Sequence, residues 1–191
     1  MSSLEMDVED SKRNAVLAAA AGVFGRYGFQ KTSMEAVAKA AGISRPGLYL
    51  MFPNKEQLYR AAMQGVMERA QQAMEACLAD SAPSFDERVV AGLDALMGPY
   101  IDTQVARDLN DLLENSEPQL GSMFHDYQVR AQATLRAHID AAAPAGLLDE
   151  ARSADDVMDL LFSAALTWKS TSTTRGEFRE RLRRALRLLH R

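Results

Sequence analysis

Apolar side chains recur at three- and four-residue intervals along most of this chain, and no stretch alternates long enough to argue for a strand. The run from Ala15 to Gly25, closed by Tyr27, Gly28 and Phe29, reads as a first helix. Thr32 with Glu35 has the spacing of a capping box, so a short helix should begin near Ser33 with Met34, Val37, Ala38 and Ala41 as its apolar stripe. Gly42 ends it, Ile43 can fill the corner, Ser44 is a good N-cap, and Pro46 suits the first turn of the next helix. That helix carries Leu48, Tyr49 and Phe52 before Pro53 forces a break. Asn54 with Gln57 then starts a long helix that can run to Leu78.

The rest of the chain keeps the same period. Ser84 with Glu87, Ser153 with Asp156, and Thr174 with Glu177 mark three further helix starts. Their stripes include Phe85, Val89, Leu93 and Leu96; Val157, Leu160, Leu161, Ala164 and Trp168; and Phe178, Leu182, Leu186 and Leu189. The prolines at 46, 53, 83, 99, 118 and 144 all fall where the period resets. The expectation is an all-α protein of about nine helices.

Two short helices across a turn of three or four residues, with a third following, form the grammar of a DNA-reading helix-turn-helix. The segment from Lys12 to Met63 resembles the tetracycline-repressor (TetR) family. The resemblance rests on the aromatic-glycine ending of the first helix, the Ala-Gly-Ile-Ser turn, the Leu-Tyr-x-x-Phe helix and the Pro-Asn-Lys-Glu start of the next. Beyond Met63 the match is in helix number and length only. The resemblance implies a three-helix DNA-binding head, a six-helix ligand-binding and dimerisation body, and a repressor released from a palindromic operator by a small-molecule effector.

Charge divides the chain in the same place. The overall formal charge is −4, yet residues 11–60 hold eight basic and two acidic side chains, while residues 61–191 hold fourteen basic and twenty acidic. Positive charge gathered on the motif is what a phosphate-facing head on an acidic body would show. The expected organisation is an acidic disordered tail over 1–10, a DNA-binding domain over 11–54 and a helical body over 55–191. The Ala15–Gly25 run is too short to span a bilayer and follows four acidic residues, which argues against a signal peptide. Cys77 is the only cysteine, so no intrachain disulfide is possible. A cytoplasmic location without membrane association is the expectation.

Ser44, Arg45, Pro46, Gly47 and Tyr49 match family positions at the major groove or its rim. Arg45 can donate two bonds to guanine O6 and N7, or meet a phosphate. Gly47 is costly within a helix, which suggests close approach of the backbone to a base, or tolerance in a short helix. Tyr49 and Lys55 match family positions that clamp phosphate. Thr32 and Ser33 offer hydroxyls at another helix N-terminus. Leu50 and Met51 replace the polar aromatic residues often found in that part of the motif; they would meet a thymine methyl or pack.

The resemblance implies dimerisation through the last two helices, and Val157, Leu161, Ala164, Phe178, Leu182, Leu186 and Leu189 are the expected interface. Leu93, Met97, Tyr100, Leu113, Met123, Phe124, Tyr127 and Trp168 are candidates to line an effector pocket. The C-terminal arginines, interleaved with Glu177 and Glu180, read as a solvated outer face. His125, His138 and His190 lack the Glu-x-x-His pairing of a helical metal site, and no phosphate loop or nucleophile elbow is present, so neither an enzyme nor a cofactor is expected. A helical interaction protein without DNA binding is the remaining rival.

Overall fold

A computed structural model describes residues 3–101, 120, 122–142 and 153–189. Among these residues the chain is all-α, with eight α-helices and one 3-10 turn. They are α1 (Ser3–Lys31), α2 (Met34–Ala40), α3 (Arg45–Met51), α4 (Lys55–Ala79), α5 (Phe85–Met97), the 3-10 turn Gly98–Tyr100, α6 (Met123–Ala142), α7 (Ala154–Thr171) and α8 (Arg175–Leu189). None of the helices among the described residues is long and apolar enough to cross a membrane.

Helix α1 begins at Ser3, so the backbone of residues 3–10 is helical where a disordered tail was expected. Glu5 lies in the first turn, at the positive end of the helix dipole, where negative charge favours helix. The helix is interrupted at Gly28, whose φ of 75° lies in the region that glycine adopts most readily.

The described residues up to Glu68, with Leu120, Ser122 and Met123, belong to one compact unit, the head; those from Arg69 to Ile101 and from Phe124 onward belong to a second, the body. The division falls within α4 rather than at its start.

The head is small and aromatic at its centre. Phe24, Phe29 and Tyr59 are buried, with ring centroids of Phe24 and Tyr59 4.9 Å apart edge to face and those of Phe29 and Tyr59 5.1 Å apart. Val16, Ala20, Val37, Leu48, Phe52 and Leu58 are buried with them. Aromatic pairs add roughly 0.5–1.5 kcal/mol beyond the area they bury, which suits a unit too small for a large aliphatic core.

The body has a longer aliphatic core. Met74, Leu78, Val89, Leu93, Leu96, Leu135, Ile139, Leu161, Phe162, Phe178, Leu182 and Leu186 form one cluster drawn from α4 to α8. Its helices start where the sequence signals them. Ser84 accepts from Glu87 N at 3.4 Å, Ser153 from Asp156 N at 3.0 Å and Thr174 from Glu177 N at 3.1 Å.

This burial corrects the expected dimer surface. Val157, Leu161, Phe178, Leu182, Leu186 and Leu189 are buried inside a single chain, and Ala164 is half-buried. The six buried side chains form the chain's own core and have no area left for a partner, whereas Ala164 keeps part of its surface open. The C-terminal arginines also depart from a solvated face, because several bind carboxylates on other turns or helices. Arg175 holds the buried Asp94 with two hydrogen bonds of 2.7 and 2.9 Å, and Arg183 holds Glu87 with two of 2.7 and 3.0 Å, both tying α8 to α5. The hydrogen bond from Arg183 holds the Glu87 carboxyl below the usual carboxylate range.

Among the expected pocket residues, Leu93 and Met97 are buried in the body core, with Tyr127 and Trp168 packed against it. Phe124 faces Tyr127 at a centroid distance of 6.4 Å. Met123 is half-buried at the start of α6. Leu113 and the side chain of Tyr100 lie outside the described residues.

Candidate nucleic-acid interface

The head presents α3 by fixing both of its ends. Upstream, α2 closes in a two-bond turn: Gly42 adopts a φ of 67°, its N–H donates to Lys39 O at 3.3 Å, and Ile43 N donates to Ala38 O at 3.0 Å. This is the Schellman arrangement, and it reverses the chain within a few residues. Ser44 then caps α3, its Oγ accepting from Gly47 N at 3.1 Å. At the far end Phe52 leaves helical geometry and is buried, with the Arg13 guanidinium 4.5 Å from its ring centroid. Asn54 Oδ1 accepts from Gln57 N at 2.8 Å and starts α4.

Leu48 is the side chain of α3 buried in the head. Arg45, Pro46, Tyr49 and Leu50 are exposed around the rest of the helix, with Ser44 exposed at its cap and Gly47 half-exposed. The Arg45 guanidinium lies 5.7 Å from the Tyr49 ring centroid, and Arg45 forms no ion pair among the described residues. No acidic residue occurs between Glu35 and Glu56, so the cation faces no competing carboxylate along this stretch of chain. An exposed guanidinium stacked on an aromatic ring keeps its donors free for an anion or a base edge.

Three expected site residues serve the fold as well as, or instead of, the surface. Thr32 is buried and donates its hydroxyl to Gly28 O at 2.7 Å; the N-cap of α2 is Ser33, which accepts from Ala36 N at 3.1 Å. The break at Gly28 leaves a carbonyl without a helical donor, and Thr32 supplies one. Thr32 is therefore an interior residue, whereas Ser33 is exposed. Lys55 is half-buried, donates to Phe29 O at 3.0 Å and Gln30 O at 3.5 Å, and sits 4.4 Å from the Phe29 ring centroid. It ties the start of α4 to the end of α1, so its role begins as a structural one. At Gly47 a Cβ would come within 3.1 Å of Ser44 Oγ, so the absence of a side chain protects the cap.

Of the two residues set apart in the motif, Met51 is half-buried and packs, whereas Leu50 is 88% exposed. Sequence reasoning left this difference open. Among the described residues no group of three or more His, Cys, Asp or Glu side chains is placed to hold a metal ion.

With this geometry in place, comparison with known proteins is informative. Residues 16–62 match the family model of bacterial regulatory proteins of the tetR type. The chain is 36% identical over 73 residues to the HTH-type transcriptional regulator RutR of Escherichia coli K12, covering 38% of this chain and 34% of RutR. The aligned region thus spans about a third of the curated relative. Solved structures match over nearly the whole length and establish the fold. A TetR-family transcriptional regulator structure from Mesorhizobium loti MAFF303099 superposes with a TM-score of 0.77 at 18% identity, covering 94% of this chain and 95% of that one. The fatty acid degradation regulator FadR from Bacillus halodurans superposes with a TM-score of 0.70 at 17% identity, covering 94% and 97%.

Proposed function

Because the chain belongs to the tetR family of bacterial regulatory proteins, we propose that it is a sequence-specific regulator of transcription that binds double-stranded DNA through α3. The observation that carries this reading is the exposed face of α3, on which Arg45 and Tyr49 stand free of acidic partners among the described residues while Leu48 anchors the helix from behind. Ser33, Ser44 and Pro46 are exposed and Gly47 half-exposed in the same head, to which half-buried Lys55 adds an ammonium. Sequence choice comes from Arg45 at a base edge, with phosphate contacts supplying affinity and register.

One α3 reads few base pairs, so the protein acts as a homodimer on a two-fold symmetric operator, with two copies of α3 in successive major grooves. The surface for that pairing is the outer side of α7 and α8. Leu160 is 55% exposed and Leu188 is 76% exposed, and Arg181 donates to Thr171 Oγ1 at 3.0 Å, bringing these two outer faces side by side. Ala164 and Ala185, both half-buried, lie one turn from those leucines and permit close approach. The reading is of a cytoplasmic repressor whose release is driven by a small apolar effector. The effector enters the body core beside Leu93, Met97, Tyr127 and Trp168, where Met74, Met97 and Met158 give the walls some compliance.

The test is selection of bound duplexes from a random DNA pool by the purified protein beside an Arg45→Ala control. A two-fold symmetric motif recovered only by the unmodified protein is expected. Its affinity should fall with salt at a log–log slope of about −0.9 per phosphate neutralised. A Leu160→Asp, Leu188→Asp variant should sediment as a monomer and lose the operator. No enrichment at low salt from a folded dimer would overturn the DNA-binding reading in favour of a helical interaction protein.

A further inference from the structure

The centre of the reading face of α3 is apolar, and this feature has a specific chemical use. Successive residues of an α-helix are rotated by about 100°. Measured from Leu48, which is fully buried, Pro46 and Leu50 therefore stand on the opposite side of the helix, with Tyr49 on one flank and Gly47 on the other. Leu50 is the most exposed large apolar side chain among the described residues. It lies on a helix that also carries arginine and tyrosine, within the segment 11–60 that holds the excess of positive charge.

A leucine at that place can neither donate to nor accept from a base or a phosphate. The major groove offers one apolar group at a base edge, the C5-methyl of thymine. We propose that Leu50 is a specificity-determining residue that selects thymine at one position of each operator half-site by covering its methyl group. Arg45, five residues earlier at the start of the helix, reads a polar base edge, so a half-site pairs one hydrogen-bonded and one methyl-selected position. The proposal rests on the DNA-binding reading above, and its test separates the two.

The probe is the selected operator duplex, synthesised with deoxyuridine in place of thymidine at each half-site position in turn. This removes the methyl and leaves the pairing edges unchanged. Unmodified protein should lose affinity at a single thymine position, by about fourfold per half-site, the value of burying one carbon-sized apolar group. Leu50→Ala should keep its thermal stability, because the side chain is exposed, should bind the natural operator more weakly by a similar factor, and should show no further loss on the deoxyuridine duplex. Affinity for every deoxyuridine duplex equal to that for the natural one, or equal deoxyuridine losses in the Leu50→Ala and unmodified proteins, would overturn the role of Leu50 while leaving DNA binding intact. Failure of the unmodified protein to select any duplex would remove both readings together.

Discussion

Helix α3 and helix α8 both carry arginine, and the same side chain does opposite work in the two. In α8, Arg175 and Arg183 each grip a carboxylate on α5 with two hydrogen bonds, and Arg181 pairs with Glu177. Their donors are consumed within the chain, and the guanidinium becomes part of how the body is held together. In α3, Arg45 has an aromatic neighbour and no acidic partner among the described residues, so its donors are not taken up by a carboxylate there. The difference lies in what surrounds each residue. Acidic residues interleave with the arginines of α8 and occupy the facing turns of α5, whereas twenty residues separate Glu35 from Glu56 around Arg45 apart from their own ends. A cation kept clear of carboxylates at that length of chain is available to a polyanion; a cation set among them is a cross-link.

The largest effect that would break this comparison is on the α8 side. Arg175→Ala leaves the buried Asp94 carboxylate without its two-bond partner. Because the Arg175 side chain is 51% exposed, the roughly 3–5 kcal/mol of a fully buried pair should shrink to about 2–3 kcal/mol of stability, read by urea unfolding. Gly98→Ala should cost a similar amount, since a Cβ there would fall on the Asp94 carboxylate and within 2.8 Å of Arg175 Nε. DNA affinity of the folded protein should be unchanged in both. If Arg175→Ala is as stable as the unmodified protein, the contrast between the two helices fails.

On the α3 side, Arg45→Ala should leave unfolding within about 0.5 kcal/mol of the unmodified protein, as for an unpaired surface residue. It should weaken operator binding by roughly 1–3 kcal/mol per half-site, measured by fluorescence anisotropy. A stability loss without a binding loss would reverse the assignment. Thr32→Val sharpens the boundary between fold and site. It removes the hydroxyl bond to Gly28 O and should cost about 1 kcal/mol of stability, with operator affinity unchanged at temperatures where the head is folded.

The smallest effect is a pH dependence confined to the body. His138 stacks on Phe85 at 5.4 Å, and burial, reinforced by the nearby Arg88 charge, holds its imidazole below the ordinary value of ~6.5. The unfolded chain then binds a proton more readily than the folded one. Stability should therefore decline as pH falls below ~6.5 and level off once the folded imidazole is itself protonated. His138→Gln should flatten that part of a melting-temperature profile. The Glu87 contribution is separate: its carboxyl is held low, so its stabilisation is present above the ordinary carboxylate value and fades as pH falls beneath it.

Several local features follow from side-chain chemistry acting within one turn, and these were legible in the chain. Ser84, Ser153, Thr174 and Asn54 cap helices because a short oxygen-bearing side chain three residues before an open N–H bonds it wherever the helix begins. Gly42 ends α2 because only a residue at ease with positive φ closes that turn. The helix-turn-helix was readable for the same reason, and the charge asymmetry marked the same segment. Thr32 shows where this kind of reading stops: its spacing to Glu35 fits a cap, yet the adjacent Ser33 takes that role because the break at Gly28 draws the threonine hydroxyl inward.

The chain by itself determined the helical class, the punctuation of the helices and the residue types that α3 carries, since each depends on neighbours within a few positions. Only the tertiary structure decided which side of a helix became interior. The apolar stripe of α8 and, Leu160 apart, that of α7 were located in the sequence, but a stripe records only that a face is covered, and α5 covers it from within the same chain, leaving Leu160 and Leu188 outside. The same holds for Leu50 and Met51, adjacent and both apolar. One turns toward the head and one away from it, because a rotation of about 100° per residue converts a difference of one position into a different environment.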